Sequence, residues 1–155
     1  MKNLKIGIIT ISILLNIILI YVFIFKGDTV ESNDNRTELV LSESNRDFVL
    51  EEMRDFLESV QQINEGVLKN NPEMIIKAAR FSGGSAIEHA PTGMLKSLPL
   101  GFKEIGFATH DTFDEIALTA ETNYDGIRVQ TQLNTLLNKC TACHQSFKIS
   151  TNYSR

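Results

Sequence analysis

Hydrophobic and polar positions change rhythm along this chain, and each rhythm predicts a different element. From Ile6 to Phe25 the chain runs for 20 positions without a charge, and only Thr10, Ser12 and Asn16 interrupt it with polarity. A helix rising about 1.5 Å per residue over that run spans about 30 Å, the hydrocarbon thickness of a bilayer. A secretory signal carries a shorter apolar stretch and a small-x-small cleavage site, whereas this run ends in Tyr21-Val22-Phe23-Ile24-Phe25-Lys26. Residues 1–26 are therefore expected to be an uncleaved signal anchor. A buried helix of a soluble core is the alternative, and a small protein has no use for one that is apolar all round. Residues 27–44 are rich in Asp, Glu, Ser, Asn and Thr, which predicts a flexible, exposed linker, with Leu39, Val40 and Leu41 as the part able to dock on a domain.

Beyond the linker the period becomes helical. Val49, Met53, Phe56, Val60, Ile63 and Val67 recur at spacings of 4, 3, 4, 3, 4, the seam of a packed helix over about Arg46–Lys69, with Ser44 or Asn45 as its cap. Asn71 and Pro72 begin a second helix as N-cap and first-turn residue, and Ser82-Gly83-Gly84-Ser85 stops it after Phe81. A loop with Pro91 and Gly93 leads to a third helix from Pro99 to about Ala120, presenting Phe102, Ile105, Thr109, Phe113 and Ile116. The last helix is expected from Tyr124 to Ile149, with the seam Val129, Leu133, Leu136, Cys140, Cys143 and Phe147. No stretch alternates with period two. The prediction is an all-α protein: an antiparallel four-helix bundle over 45–155 behind an N-terminal transmembrane helix.

Charge sharpens this picture. Lys2, Lys5 and the terminal amine precede the apolar run and only Lys26 follows it, which predicts a cytoplasmic N-terminus and a domain on the exported, periplasmic side of the inner membrane. After Gly27 the chain has 12 basic against 19 acidic side chains, a net charge of −7. Such a surface argues against nucleic acid as a partner and is compatible with a basic protein patch. Apolar residues make up 43% of the chain, enough for one compact core.

The candidate chemistry lies in Cys140-Thr141-Ala142-Cys143-His144, the CxxCH pattern of c-type haem attachment. Two thiols three residues apart share one side of a helix and can form thioethers with the two haem vinyl groups, and the adjacent His can then face the iron. These are the only cysteines, the anchor exports them to an oxidising compartment, and they fall on a core-facing seam. Other readings fit less well. A thioredoxin-like pair needs a βαβ setting and a helix N-terminus. A Cys2His2 zinc site would have to recruit His89 or His110 at no recognised spacing. A disulfide between neighbours on one helix is sterically awkward.

A helical bundle with CxxCH near its C-terminus resembles the cytochrome c′ family, including its low-spin, six-coordinate members. The local match is Cys140-Thr-Ala-Cys-His-Gln-Ser-Phe-Lys148, in which Phe147 and Lys148 occupy the family's aromatic and basic positions, and the resemblance spans about 45–150. Leu98-Pro99, Phe102, Gly106, His110, Phe113-Asp114 and Ala117 resemble a pattern of small exported cytochromes. The resemblance implies one covalent haem c, with Cys140, Cys143, Phe147 and Lys148 around it and His144 as proximal ligand. Lys148, one helical turn on, would tune the basicity of His144, or else be a solvated helix-end lysine. In the family the first helix covers the other haem face, with Met in low-spin members and a bulky apolar residue in high-spin ones. Met53, on the inward seam, is the candidate sixth ligand. A register counted from Arg46 would instead bring Leu50 over the iron and leave Met53 as core. His110 is a third candidate, more simply read as hydrogen-bonded at the surface or to a propionate. Met74 and Met94 are read as packing, and Glu51, Glu52 and Asp55 as a solvated face.

Three functions compete. A six-coordinate His144/Met53 haem would carry single electrons between redox partner proteins. A five-coordinate iron behind Leu50 would bind nitric oxide or carbon monoxide. An enzyme is the weakest reading, since the chain shows no carboxylate pair, nucleophile–base set or phosphate loop, though an opened haem supports peroxidase chemistry. Family relatives often dimerise through the first two helices, so a homodimer is a further expectation.

Overall fold

The computed structural model describes residues 2–150, with side-chain surroundings from residue 4 onward. Residue 1 of the expected anchor and residues 151–155 of the expected domain lie outside the described residues. The chain is predominantly helical. Helix α1 (Lys2–Ile20) continues into a π-helical segment, Tyr21–Lys26. Leu4–Lys26 is long and apolar enough to cross a membrane or to serve as a signal sequence, with a mean hydropathy of 2.8 and no part of it buried against the rest of the chain.

Four long helices follow: α2 (Glu43–Leu68), α3 (Pro72–Phe81), and, after a 3-10 turn at Gly84–His89 and the short α4 (Met94–Ser97), α5 (Leu100–Thr122) and α6 (Gly126–Ser146). Helix α2 packs on α3, α3 on α5, α5 on α6, and α6 back on α2. Helices α2, α3 and α6 start at side-chain caps, whereas α5 follows Pro99 without one. Asn71 Oδ1 accepts from the Met74 amide at 3.1 Å, as its place before Pro72 predicts, and Asp125 Oδ1 accepts from the Ile127 amide at 2.9 Å. Helix α2 starts earlier than its pattern suggests, because Ser42 rather than Ser44 or Asn45 supplies the cap, accepting from the Asn45 amide at 3.3 Å.

The 3.6-residue seams become the main core. Ile63 from α2, Ile75, Ala78 and Ala79 from α3, Phe113, Ile116, Ala117 and Ala120 from α5, and Val129, Leu133 and Leu136 from α6 form one buried cluster. Phe113 is fully buried and lies 5.3 Å from the Phe56 ring, centroid to centroid. Phe113→Ala should therefore cost about 3–5 kcal/mol of stability. The expected readout is a lower denaturant midpoint for the full chain in detergent, with an unchanged slope.

Two expectations fail for one reason. Residues 27–44 are not an unstructured linker: β1 (Thr29–Glu31) pairs antiparallel with β2 (Thr37–Leu39). The last helix stops at Ser146 rather than Ile149, and β3 (Phe147–Ile149) lies parallel to β2, Thr37 opposite Phe147 and Leu39 opposite Ile149. Leu39 and Leu41 are buried with Val49, Met94 and Leu98 in a second core, on which Phe147 and Ile149 pack. Burial of a few apolar side chains by residues distant in sequence outweighs a polar local composition. Strands of three residues are also too short for alternation to be visible.

Candidate functional site

A cavity of about 340 Å³ lies beside this second core, within the size range of small-molecule sites. Phe48, Met53, Phe56 and Val60 of α2, Met94 and Leu95 of α4, Phe102, Ile105 and Phe107 of α5, and Leu137 of α6 make its lining overwhelmingly apolar. Cys140, Cys143 and His144 line the same cavity from the last two turns of α6. The periodicity is the cause: Leu133 and Leu136 bury the α6 seam in the main core, and one and two turns later the same face brings Cys140 and Cys143 to the cavity.

Both cysteines are half-buried and carry free thiols. Burial pushes the Cys140 thiol above its ordinary value, and burial together with the neighbouring Cys140 pushes Cys143 up to about 11. Redox-active CxxC pairs have depressed values because they sit at helix N-termini. Here the pair sits at the carbonyl end of α6, where the Phe147 amide donates to the Cys143 carbonyl. In the chain without thioether bonds, Cys143 should react with iodoacetamide slowly at neutral pH and faster up to about pH 11. The folded state holds the thiol proton more tightly than the unfolded state, so this contribution to stability is full below the ordinary thiol pKa and is lost as pH rises towards 11. A Cys143 alkylation rate already maximal at neutral pH would contradict the buried setting. Among the described residues no group of three or more His, Cys, Asp or Glu side chains is arranged to hold a bare metal ion.

The candidate axial groups are sorted by what they touch. Met53 lines the cavity, whereas Leu50 does not and is 37% exposed. Met94, expected to be packing alone, is buried and also lines the cavity. His110 lines it too, but its imidazole is engaged at both ends. Nδ1 donates to the Ser82 carbonyl at 2.9 Å, and Nε2 lies 3.5 Å from Glu52 Oε2. His110 is therefore a buried interior histidine rather than one at the surface. The Phe56 ring stands edge-on to it at 5.0 Å. Glu52 also departs from its expected solvated place. It lines the cavity, and burial raises its carboxyl pKa while the facing His110 pulls it down. That pairing had no signal in sequence, since Glu52 and His110 lie 58 positions apart on different helices.

Phe147 and Lys148 do not line the cavity. Phe147 packs edge-on against Phe102, centroids 5.4 Å apart, and so supports the cavity wall from behind. Lys148 is on β3 rather than one helical turn beyond His144, and its ammonium lies 3.4 Å from Glu38 and 3.9 Å from Asp34. Its charge is thus answered by the hairpin. The hairpin also reaches the motif through Arg36, whose Nη1 donates to the His144 carbonyl at 3.4 Å. Comparison of the chain with protein families, with curated proteins and with solved structures finds no match.

Proposed function

We propose that this chain is a membrane-anchored c-type cytochrome of the cytochrome c′ kind, an antiparallel four-helix bundle that carries single electrons between exported-side redox partners. The observation that carries the reading is the convergence of Cys140, Cys143, His144 and Met53 on one apolar cavity. The donor set fits a haem: two thiols for thioethers, one imidazole, one thioether sulfur, and an apolar wall for the macrocycle. Packing of α2 on α3, α3 on α5, α5 on α6 and α6 back on α2 supports the bundle. The Lys2 and Lys5 bias before Leu4–Lys26 supports export to the periplasmic side.

Cys140 and Cys143 would hold the macrocycle covalently, His144 would supply the proximal nitrogen and Met53 the sixth ligand. Haem, when bound, supplies a one-electron couple whose potential the axial ligands and the surrounding polarity set. The apolar residues of α2, α4 and α5 would lower the polarity around that couple. The Ser82 carbonyl and Glu52 hold His110 away from ligation. Leu50 lies outside the lining, which weighs against a five-coordinate, gas-binding iron.

The test is a visible absorption spectrum of the haem-loaded full chain, oxidised and reduced, with and without carbon monoxide. Low-spin bands, a far-red sulfur-to-iron band and no response to carbon monoxide are expected. A high-spin spectrum that shifts with carbon monoxide would replace electron transfer by gas binding.

A further inference from the structure

The path from the apolar helix to the domain is very short. The helical segment ends at Lys26, only Gly27 follows, and the Asp28 amide already donates to the Ser97 carbonyl at 2.7 Å. Gly27 has φ +60, and a Cβ there would overlap the Pro99 backbone nitrogen, so the junction is both left-handed and tightly packed. The Val40 amide donates to the Asp28 carbonyl at 2.8 Å, tying the junction to the hairpin as well. Two lysines reach back to the end of the helix: Lys103 Nζ donates to the Ile24 carbonyl at 2.6 Å, and Lys96 Nζ stands 4.6 Å over the Phe23 ring. The flexible linker expected over 27–44 is therefore absent, and the apolar helix meets the domain directly.

The surface beside this junction differs from the rest of the domain. In a part of the chain with net charge −7, residues 89–103 contain no carboxylate and carry Lys96 and Lys103, with Lys26 at the junction; the carboxylates nearest in sequence are Glu88, Glu104 and Asp28. Leu95 is 42% exposed and Phe107, one turn beyond Lys103, is 39% exposed. Both also line the cavity.

We propose that the α4 and early α5 face, around Leu95, Lys96, Lys103 and Phe107, rests on the anionic phospholipid headgroup layer. The helix end, the cations and the exposed apolar side chains coincide there, which is the composition of a membrane-contacting surface. The wall of the cavity that α4 supplies then faces lipid, and the cavity stays at the membrane surface. This rests on Leu4–Lys26 being inserted, and not on haem.

The experiment uses the full chain in vesicles of phosphatidylethanolamine and phosphatidylglycerol doped with a headgroup-nitroxide lipid. The chain has no tryptophan, so Leu95→Trp and Ile127→Trp report singly; Ile127 is 80% exposed at the start of α6. The expected result is blue-shifted emission at position 95 that nitroxide lipid quenches, with emission at position 127 unaffected. Equal quenching at both positions, or none at position 95, overturns the docked face. A blue shift at 95 without lipid quenching places the indole against protein, in the cavity or on a second copy, and overturns the docked face too. Flotation of the vesicles separates the two layers of the argument. A chain that floats without quenching at 95 refutes docking alone, and a chain that does not float refutes the anchor and docking together. If a tryptophan variant fails to fold, amide exchange of the unchanged chain gives the same reading. Residues 94–103 should exchange more slowly in vesicles than in detergent, and an equal rate overturns the proposal.

Discussion

On the proposed reading, Cys140→Ser combined with Cys143→Ser should abolish covalent haem: after export and maturation, the denatured polypeptide should carry no haem stain, while the unchanged chain should. The two thiols line one cavity with His144, and no other cysteine is available to replace them. A covalent tether makes every other contact intramolecular, which raises retention by on the order of 10²–10⁴-fold. Without it, the apolar lining and one imidazole would hold haem only by equilibrium, and dilution would strip it. Each single variant should keep one thioether and show a shifted reduced spectrum in pyridine, because one vinyl group is left unsaturated. Denatured double variant that still stains for haem would remove the thiols from the attachment chemistry. A haem-free unchanged chain, matured where other c-type cytochromes load, would remove the cytochrome reading itself.

Met53→Ala should lower the reduction potential and open the iron to carbon monoxide. Axial ligands set haem potentials over about 0.8 V, and a Met/His pair lies towards the high end, so losing the sulfur should shift the potential by a substantial part of that range. The prediction is sharp because three neighbours serve as controls. Leu50→Ala should leave the potential unchanged, since Leu50 is outside the cavity lining. Met94→Ala should disturb stability through the second core without changing ligation, since Met94 is buried with Leu39, Leu41, Val49 and Leu98. His110→Ala should leave the potential near that of the unchanged chain, since Ser82 and Glu52 already engage both ring nitrogens. A potential that falls in Met94→Ala and stays constant in Met53→Ala would move the sixth ligand from α2 to α4.

These predictions draw unequally on sequence and structure. The helices were legible because each seam is a local property. Val49, Ile63 and Val129, Leu133, Leu136 are buried where the 3.6-residue period places them, and Pro72 and Asn71 mark the start of α3. The hairpin was not legible. Its strands have three residues each, and what holds them is Leu39 in a core shared with Met94 and Leu98, more than 50 positions away. The end of α6 was misplaced by the same kind of interaction. Phe147 continues the helical seam in sequence, but the contact with Phe102 and the pairing with Thr37 draw it into a strand. That turn of the backbone also carried Lys148 away from its expected place beside His144 and onto Glu38.

The sequence by itself determined the apolar span of Leu4–Lys26, the helical class, and the placing of Cys140 and Cys143 on the inward face of one helix. Each of these follows from rise and period along a single element, which neighbouring residues set. Only the tertiary structure decided which side chains meet those thiols: Met53 and Met94 at the cavity and Leu50 outside it, Glu52 opposite His110, and a domain seated on its helix end through Gly27. Those outcomes depend on how helices pack and where distant apolar side chains find burial, and no periodicity within one segment encodes them.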